Sequence, residues 1–553
     1  MVRKIICFLS LITLIGGNLL HAQESPKKKT VNITSTFKPV LRDAVKINFS
    51  ATPPAIDTSR PRLNYNIPAQ FLYLSYQPAE LRPVALRIDT ARVLDNDNYI
   101  KVGIGNVHQP FVQAGFTFGD GKNTIFNIFG DGYSSKGQLP YQKSNLAAVG
   151  LSGIVRTKSD LEWKGKLGFR SDGYYLYGFR PDTLKFNKEE LQQNFLTFEG
   201  DLALRNTIPT EYGLTYNPNM HVAVFTDNHQ PSATEENTIL NLPLQKTLGE
   251  NFAFGLGFTA DITNYHIADR PAIQNNIYTV SPALTYKNDN LNFKAELDPS
   301  WNNGDFKLLP NLLANVTTND KQFTFEAGFI GYYQKGTYQR YESLNPWLAQ
   351  PTSLINTRVE EGFGGFRGSI NNHFSYAARL SFVQYWNMPL FVNDSLDGKT
   401  FDIVNEVNMK AVLIHGEISY TQGELFTAKA AVNINNYSPK YQNRAWGLLP
   451  FEFNADLRWQ LLKDLWIKGD LWLFDGAPYL GADKNGHSGA GGADLSAGIE
   501  FRIARQVNLW LQMNNIFNDT YQRWNQYQVY GFNILGGIIF SFGQKNAQPG
   551  KIM

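Results

Sequence analysis

A chain of 553 residues with a formal net charge of +3 and one cysteine has no basic surplus for nucleic acid, and neither a disulfide framework nor thiol chemistry. Aromatic residues make up 14% of it, yet the mean hydropathy is only −0.30. Rich aromatics with little net hydrophobicity suit a membrane barrel, whose strands turn half their residues to a polar interior. A secreted β-sandwich would share that composition, so periodicity has to separate the two.

Arg3 and Lys4 precede an apolar run from Ile5 to Leu20, and Ala22 stands just before Gln23. This order reads as a secretory signal over 1–22. Cys7 lies inside the apolar run, so no lipid anchor is expected and the mature chain should hold no cysteine. No later stretch approaches the roughly 18 consecutive apolar residues of a membrane helix. Without Arg3 and Lys4 the 51 basic residues become 49 against 48 acidic ones, and Lys27, Lys28 and Lys29 read as a solvated terminus.

Residues 23–97 carry eight prolines (Pro26, Pro39, Pro53, Pro54, Pro61, Pro68, Pro78 and Pro83) and little alternation. Proline lacks the ladder donor, so central strands are not expected there. Phe71, Leu72, Tyr73, Leu74 and Tyr76 form an aromatic knot fit to dock on something.

From Tyr99 a strand grammar of period two takes over. Leu161, Trp163, Leu167 and Phe169 alternate with Glu162, Lys164, Lys166 and Arg170. Leu196, Phe198, Leu202 and Leu204 alternate with Thr197, Glu199, Asp201 and Arg205, and the same pattern runs through Phe252–Phe258, Leu291–Leu297, Phe451–Trp459 and Leu495–Ile503. Short polar turns (157–160, 248–251, 287–290, 317–321 and 461–464) alternate with longer links at 181–191, 266–275, 337–352, 391–406, 437–449 and 477–491. That asymmetry belongs to outer-membrane barrels, with tight periplasmic turns and longer external loops. The expected fold is all-β: a transmembrane antiparallel barrel of about 22 strands over 98–542. In the last strand Phe532, Ile534, Ile538, Phe540 and Phe542 would face lipid, while Asn533, Gly537 and Ser541 face the lumen. Residues 543–553 read as a short periplasmic tail.

Asn514–Asn515–Ile516–Phe517–Asn518, then Tyr521, Trp524 and Gly531–Phe532, resemble the C-terminal end of TonB-dependent receptor barrels of the Bacteroidota type. Tyr341–Glu342–Ser343–Leu344–Asn345–Pro346 followed by Asn356–Thr357–Arg358 is similar to a loop-and-strand seam of that family. The resemblance implies a large outer-membrane barrel in a transport role. It also implies a folded plug well over a hundred residues long, for which 23–97 is too short; neither a plug nor a coupling box is expected.

Such a wide bore calls for something to fill it. Inward loops, a partner or a smaller strand count would answer this. The favoured occluder is 23–97 as a small plug, with Phe71, Tyr73 and Tyr76 against the wall, the alternative for it being a periplasmic tether. Lys164, Lys166, Glu199, Asp201, Lys294, Glu296, Glu452, Asp456, Glu500 and Arg502 are the candidate lumen-lining charges. Trp466 and Trp472 leave their strand apolar on both sides, which suggests cover by the occluding segment or a partner. His221 and His229 flank Asp227 but read as rim histidines, and Gly486–Gly492 lacks the Lys-Ser/Thr of a phosphate loop. No catalytic residue, metal site or cofactor is expected. The first functional expectation is a porin-like passive conduit in the outer membrane. A sealed assembly subunit with a periplasmic or outer-membrane protein partner comes second, and an energised uptake receptor with a reduced plug third. Membrane lipid is the one partner that all three share; nucleic acid is not a partner of any.

Overall fold

Alternating side chains need a wall with two different faces, and the chain builds one. The computed structural model describes residues 97–543 except positions 122 and 372; Phe71, Tyr73, Tyr76, the signal segment and the tail from 544 lie outside the described residues. The first strand, Asp97–Gly105, pairs antiparallel with the last, Asn533–Gly543, with Ile100 opposite Phe540 and Val102 opposite Ile538. That pairing closes the sheet into a barrel. Its 24 hydrogen-bonded segments make 22 strands, because two strands are each broken once. Pro218 separates Leu214–Tyr216 from Asn219–Asp227, and Pro243 separates Ala233–Asn241 from Leu244–Leu248. Both prolines lack the donor that would carry the ladder through.

Lipid and lumen faces follow the alternation. Ile104, Trp163, Leu167, Phe198, Phe254, Leu297, Phe382 and Ile538 are exposed on the outer face, while Glu162, Thr263, Ser300, Glu361 and Gln512 are buried on the inner one. In the closing strand Ile534, Ile538 and Phe540 are exposed and Asn533 is buried. Phe532 precedes the strand, and the barrel runs from 97 to 543, one residue longer at each end than its expected limits.

The two ends differ. At one, turns such as 157–160, 249–251, 288–290, 423–425 and 463–464 are tight, and both ends of the barrel chain emerge there. At the other lie 176–191, 335–356, 387–408, 440–450, 475–491 and 515–532. The expected long link at 266–275 is in fact short, since strands run to Ile267 and resume at Ile273. Another link at the same end is only Asn303–Gly304, with φ of 51° and 93°. Asn-Gly accepts the left-handed backbone of a two-residue hairpin at little cost. Nearly all the loop mass is thus concentrated after residue 334, together with 176–191.

Candidate functional site

The long loops converge into a lid, and its core is aromatic. Tyr174, Phe195, Phe225 and Tyr265 rise from the wall to meet Tyr338, Tyr341, Trp347 and Leu348 of 335–356, Phe391 and Phe401 of 387–408, and Trp524 and Tyr527 of 515–532. Trp347 stacks on Tyr527 at 3.9 Å, Tyr177 meets Tyr527 edge-on at 4.9 Å, and Phe391 and Phe401 flank Trp524 at 5.2 and 5.3 Å. Each such pair contributes about 0.5–1.5 kcal/mol beyond the area it buries.

A helix of about two turns, Tyr338–Leu344, anchors 335–356 to the wall. Thr337 caps it, its side chain accepting from the Arg340 N–H at 3.2 Å. The Tyr338 and Gln339 N–H groups donate to Glu235, and the Tyr338 hydroxyl donates to Asp227 at 2.9 Å. Gln350 also donates to Asp227, at 2.8 Å, and His229 Nδ1 lies 2.9 Å from its carboxylate. The Glu235 carboxylate thus satisfies two backbone donors that the helix itself leaves free, while Asp227 holds side chains of the same loop. Glu342, on the same helix, is buried, and burial, reinforced by the nearby Asp172 charge, pushes its carboxyl up to about 8.

Hydrogen bonds then carry the lid across the bore. Loop 176–191 joins the fifth and sixth strands, and 387–408 joins the fifteenth and sixteenth, nearly opposite in a ring of 22. The Arg180 N–H nevertheless donates to the Asp397 carbonyl at 2.9 Å. Between them, Phe401 N–H donates to Trp347 O at 3.0 Å and Ala349 N–H to Phe401 O at 2.9 Å. Tyr177 and Gln142 side chains both donate to Gln528 O, at 2.8 and 2.9 Å, and the Tyr527 hydroxyl donates to Lys399 O. Loops from opposite walls therefore share one hydrogen-bonded layer.

Among the loops, a cavity of about 340 Å³ lies between Phe401, Tyr479, Tyr521, Arg523 and Trp524 and the small residues 488–491. Arg523 is buried, donates to Gly447 O at 3.0 Å and lies 4.3 Å from the Trp524 ring. Burial pulls its guanidinium down to about 10. Gly486–Ser488 pairs with Pro478–Leu480, so the glycine-rich stretch begins as a small hairpin on this cavity's rim.

Several of the candidate lumen charges are paired. Lys166 meets Glu199 at 2.7 Å, Lys294 meets Glu296 at 2.7 Å, and Asp201 meets His221 at 2.7 Å. Lys164 joins Arg156 and Arg205 around Glu162, which is only 1% exposed. Asp456 stands directly across from Asp470, Glu500 accepts from Asn508, and Arg502 lies 4.9 Å from the Trp466 ring. Glu452 is buried near the lid. His221 and His229 are not brought together: one pairs with Asp201 on the wall, the other with Asp227 in a turn. The cover expected over Trp472 comes from the chain's own loop, since Tyr521 packs edge-on to it at 5.7 Å. Inward loops were an occluder the sequence allowed but did not favour; the one local signal for them was the aromatic density of 338–347 and 521–530.

No family profile matches the chain, and no curated protein matches it. Solved structures do. The siderophore receptor PirA of Pseudomonas aeruginosa is similar with a TM-score of 0.56 at 10% identity, over 81% of this chain and 79% of that one. The FrpB iron transporter of Neisseria meningitidis gives 0.61 at 11% identity, over 81% and 82%. The pyoverdine outer-membrane receptor FpvA of Pseudomonas aeruginosa gives 0.61 at 10% identity, over 80% and 78%. At this identity the likeness is one of fold: a closed antiparallel barrel of 22 strands, shared with outer-membrane receptors. With its exposed apolar belt, the barrel belongs in the outer membrane.

Proposed function

We propose that the chain is a receptor-type outer-membrane barrel held shut at its outer mouth by its own loops, working as a sealed subunit of an outer-membrane assembly. One observation carries this reading: the backbone bond from Arg180 to Asp397 joins loops from nearly opposite walls across the bore. A porin-like passive conduit would require that layer to unpack, with loss of its aromatic stacks. The first strand starts and the last one ends at the tight-turn end, and on this reading 23–97 and 544–553 recruit the partner. Purification in mild detergent from the native envelope tests the reading. A stoichiometric partner that leaves when 23–97 is deleted supports it; a clean monomer with large, steady conductance contradicts it.

A second reading, a ligand receptor, is favoured by the loop cavity with its buried Arg523 and by the siderophore receptor and iron transporter that share the fold. Quenching of tryptophan fluorescence on titration with iron-loaded siderophores, lost in Arg523→Ala, would support it.

A further inference from the structure

The barrel wall has an unzipped zone built around three prolines. Strands Ile273–Lys287 and Leu291–Asn302 keep one register, with Thr279 opposite Ser300 and Ala283 opposite Glu296, yet the three pairs between these are missing from the sheet. Pro282 and Pro299 lie in that gap. On the other side of the same hairpin, pairing of Asp305–Thr317 with Phe323–Gln334 begins only at Asn311↔Ile330, next to Pro310. Pro310 is opposite Leu297 and Pro299 opposite Leu308. The three prolines therefore sit at nearly one height, on three consecutive strands. Proline cannot donate to a ladder, and unsatisfied backbone groups are costly where only lipid is outside. The backbones still lie side by side, since a Cβ at Gly331 would meet Leu309 and Pro310 at 3.3 Å. This is a closed seam, weaker than the wall around it.

The two faces of the seam are chemically distinct. Outside, Leu284, Leu297, Leu308 and Leu312 are exposed on the prolines' face. Inside, Ser281, Asp298 and Asn311 share the lumen face. Asp298 is 9% exposed, and its Oδ1 has no hydrogen-bond partner among the described residues. Ser281, Asn311 and the Lys294 charge act on its carboxylate, but Lys294 makes its ion pair with the adjacent Glu296 at 2.7 Å, so the buried Oδ1 is left open to a further donor.

We propose that the hairpin Leu291–Thr317 is a lateral gate, which admits an amphiphile with an acyl chain and an ammonium group between bilayer and lumen. The acyl chain lies along the leucine face, and the ammonium meets Asp298. This inference rests on the wall and is independent of the lid.

The test uses full-length protein in vesicles containing phosphatidylethanolamine, with p-benzoylphenylalanine placed at Leu309 on the inner face. Irradiation is expected to capture phosphatidylethanolamine. Thr279 and Ser300 touch through their hydroxyls at 3.0 Å, close enough for a disulfide. The pair Thr279→Cys with Ser300→Cys, in a chain whose only native cysteine is Cys7, should abolish capture until reductant is added. A control disulfide at Ser375→Cys with Ser419→Cys, where the hydroxyls are 2.6 Å apart, should leave capture intact. Asp298→Asn should lower capture, and phosphatidylglycerol should not be captured at all. Absence of capture, or capture indifferent to the seam lock, overturns the gate; capture indifferent to Asp298→Asn overturns the assigned headgroup. Hydrogen exchange needs no probe residue: amides of 277–302 should exchange faster than those of Phe252–Ile267, and Pro282→Val with Pro299→Val should remove the difference. Equal exchange in the unmodified chain would also refute the seam.

Discussion

Arg379 and Glu361 face the lumen from neighbouring strands, their side chains 4% and 3% exposed and 2.7 Å apart. Ser381 donates to the same carboxylate at 2.6 Å, and the guanidinium lies over the Phe363 ring. Such a pair contributes little net stability when whole, but removing one partner strands the other's charge, at a cost of about 3–5 kcal/mol. Arg379→Ala should therefore lower the temperature at which the folded, fast-migrating band is lost on heating, whereas Arg379→Met with Glu361→Gln should recover most of that loss. Glu342 gives a pH signature instead. Its carboxyl is raised from 4.5 to about 8 in the closed lid, so the closed state binds a proton that the open one releases. Closure is then strongest at low pH and weakens as pH rises from about 4.5 to about 8, by a few kcal/mol in all. Glu342→Gln should flatten this dependence, read from Trp347 fluorescence between pH 5 and about 9; an unchanged slope would place the titration elsewhere.

Among the elements, strands and loops differ in how far they could be read from sequence. Phe252, Phe254, Leu256 and Phe258 declare a lipid face within seven residues, and the turn 288–290 follows from its own Asn and Asp. Both are local, so both were legible. The lid is not local: Gln142 meets Gln528 and Arg180 meets Asp397, pairings that no window of sequence contains. Helix Tyr338–Leu344 was missed for the same reason, since much of its hold comes from Glu235 and Asp227 on distant strands. The alternation of charges along the strands was legible, but their pairing partners, such as His221 for Asp201, depend on register. If the stack of Trp347 on Tyr527 organises the lid, Trp347→Ala should destabilise it by about 3–5 kcal/mol. Amides of 387–408 and 515–532 should then exchange faster in vesicles while those of the strands stay protected. Strand amides loosening equally would mean that lid and wall form one cooperative unit.

For the barrel as a whole, a bore of 22 strands exceeds that of the 16- to 18-stranded porins and must be occluded if the membrane is to hold its gradients. The receptor-type barrels it resembles in fold share its wall at about 10% identity, so the wall alone does not settle what closes it. Here a layer of loops reaches across the outer mouth, stapled by backbone bonds and aromatic stacks. The most direct measurement is single-channel conductance in planar bilayers of the chain lacking 23–97, with the lid intact and with Trp347→Ala and Tyr527→Ala combined. Closure by the loops predicts silence from the first and large steps from the second. Large steps from the intact-lid chain lacking 23–97 would contradict it and make that segment the plug.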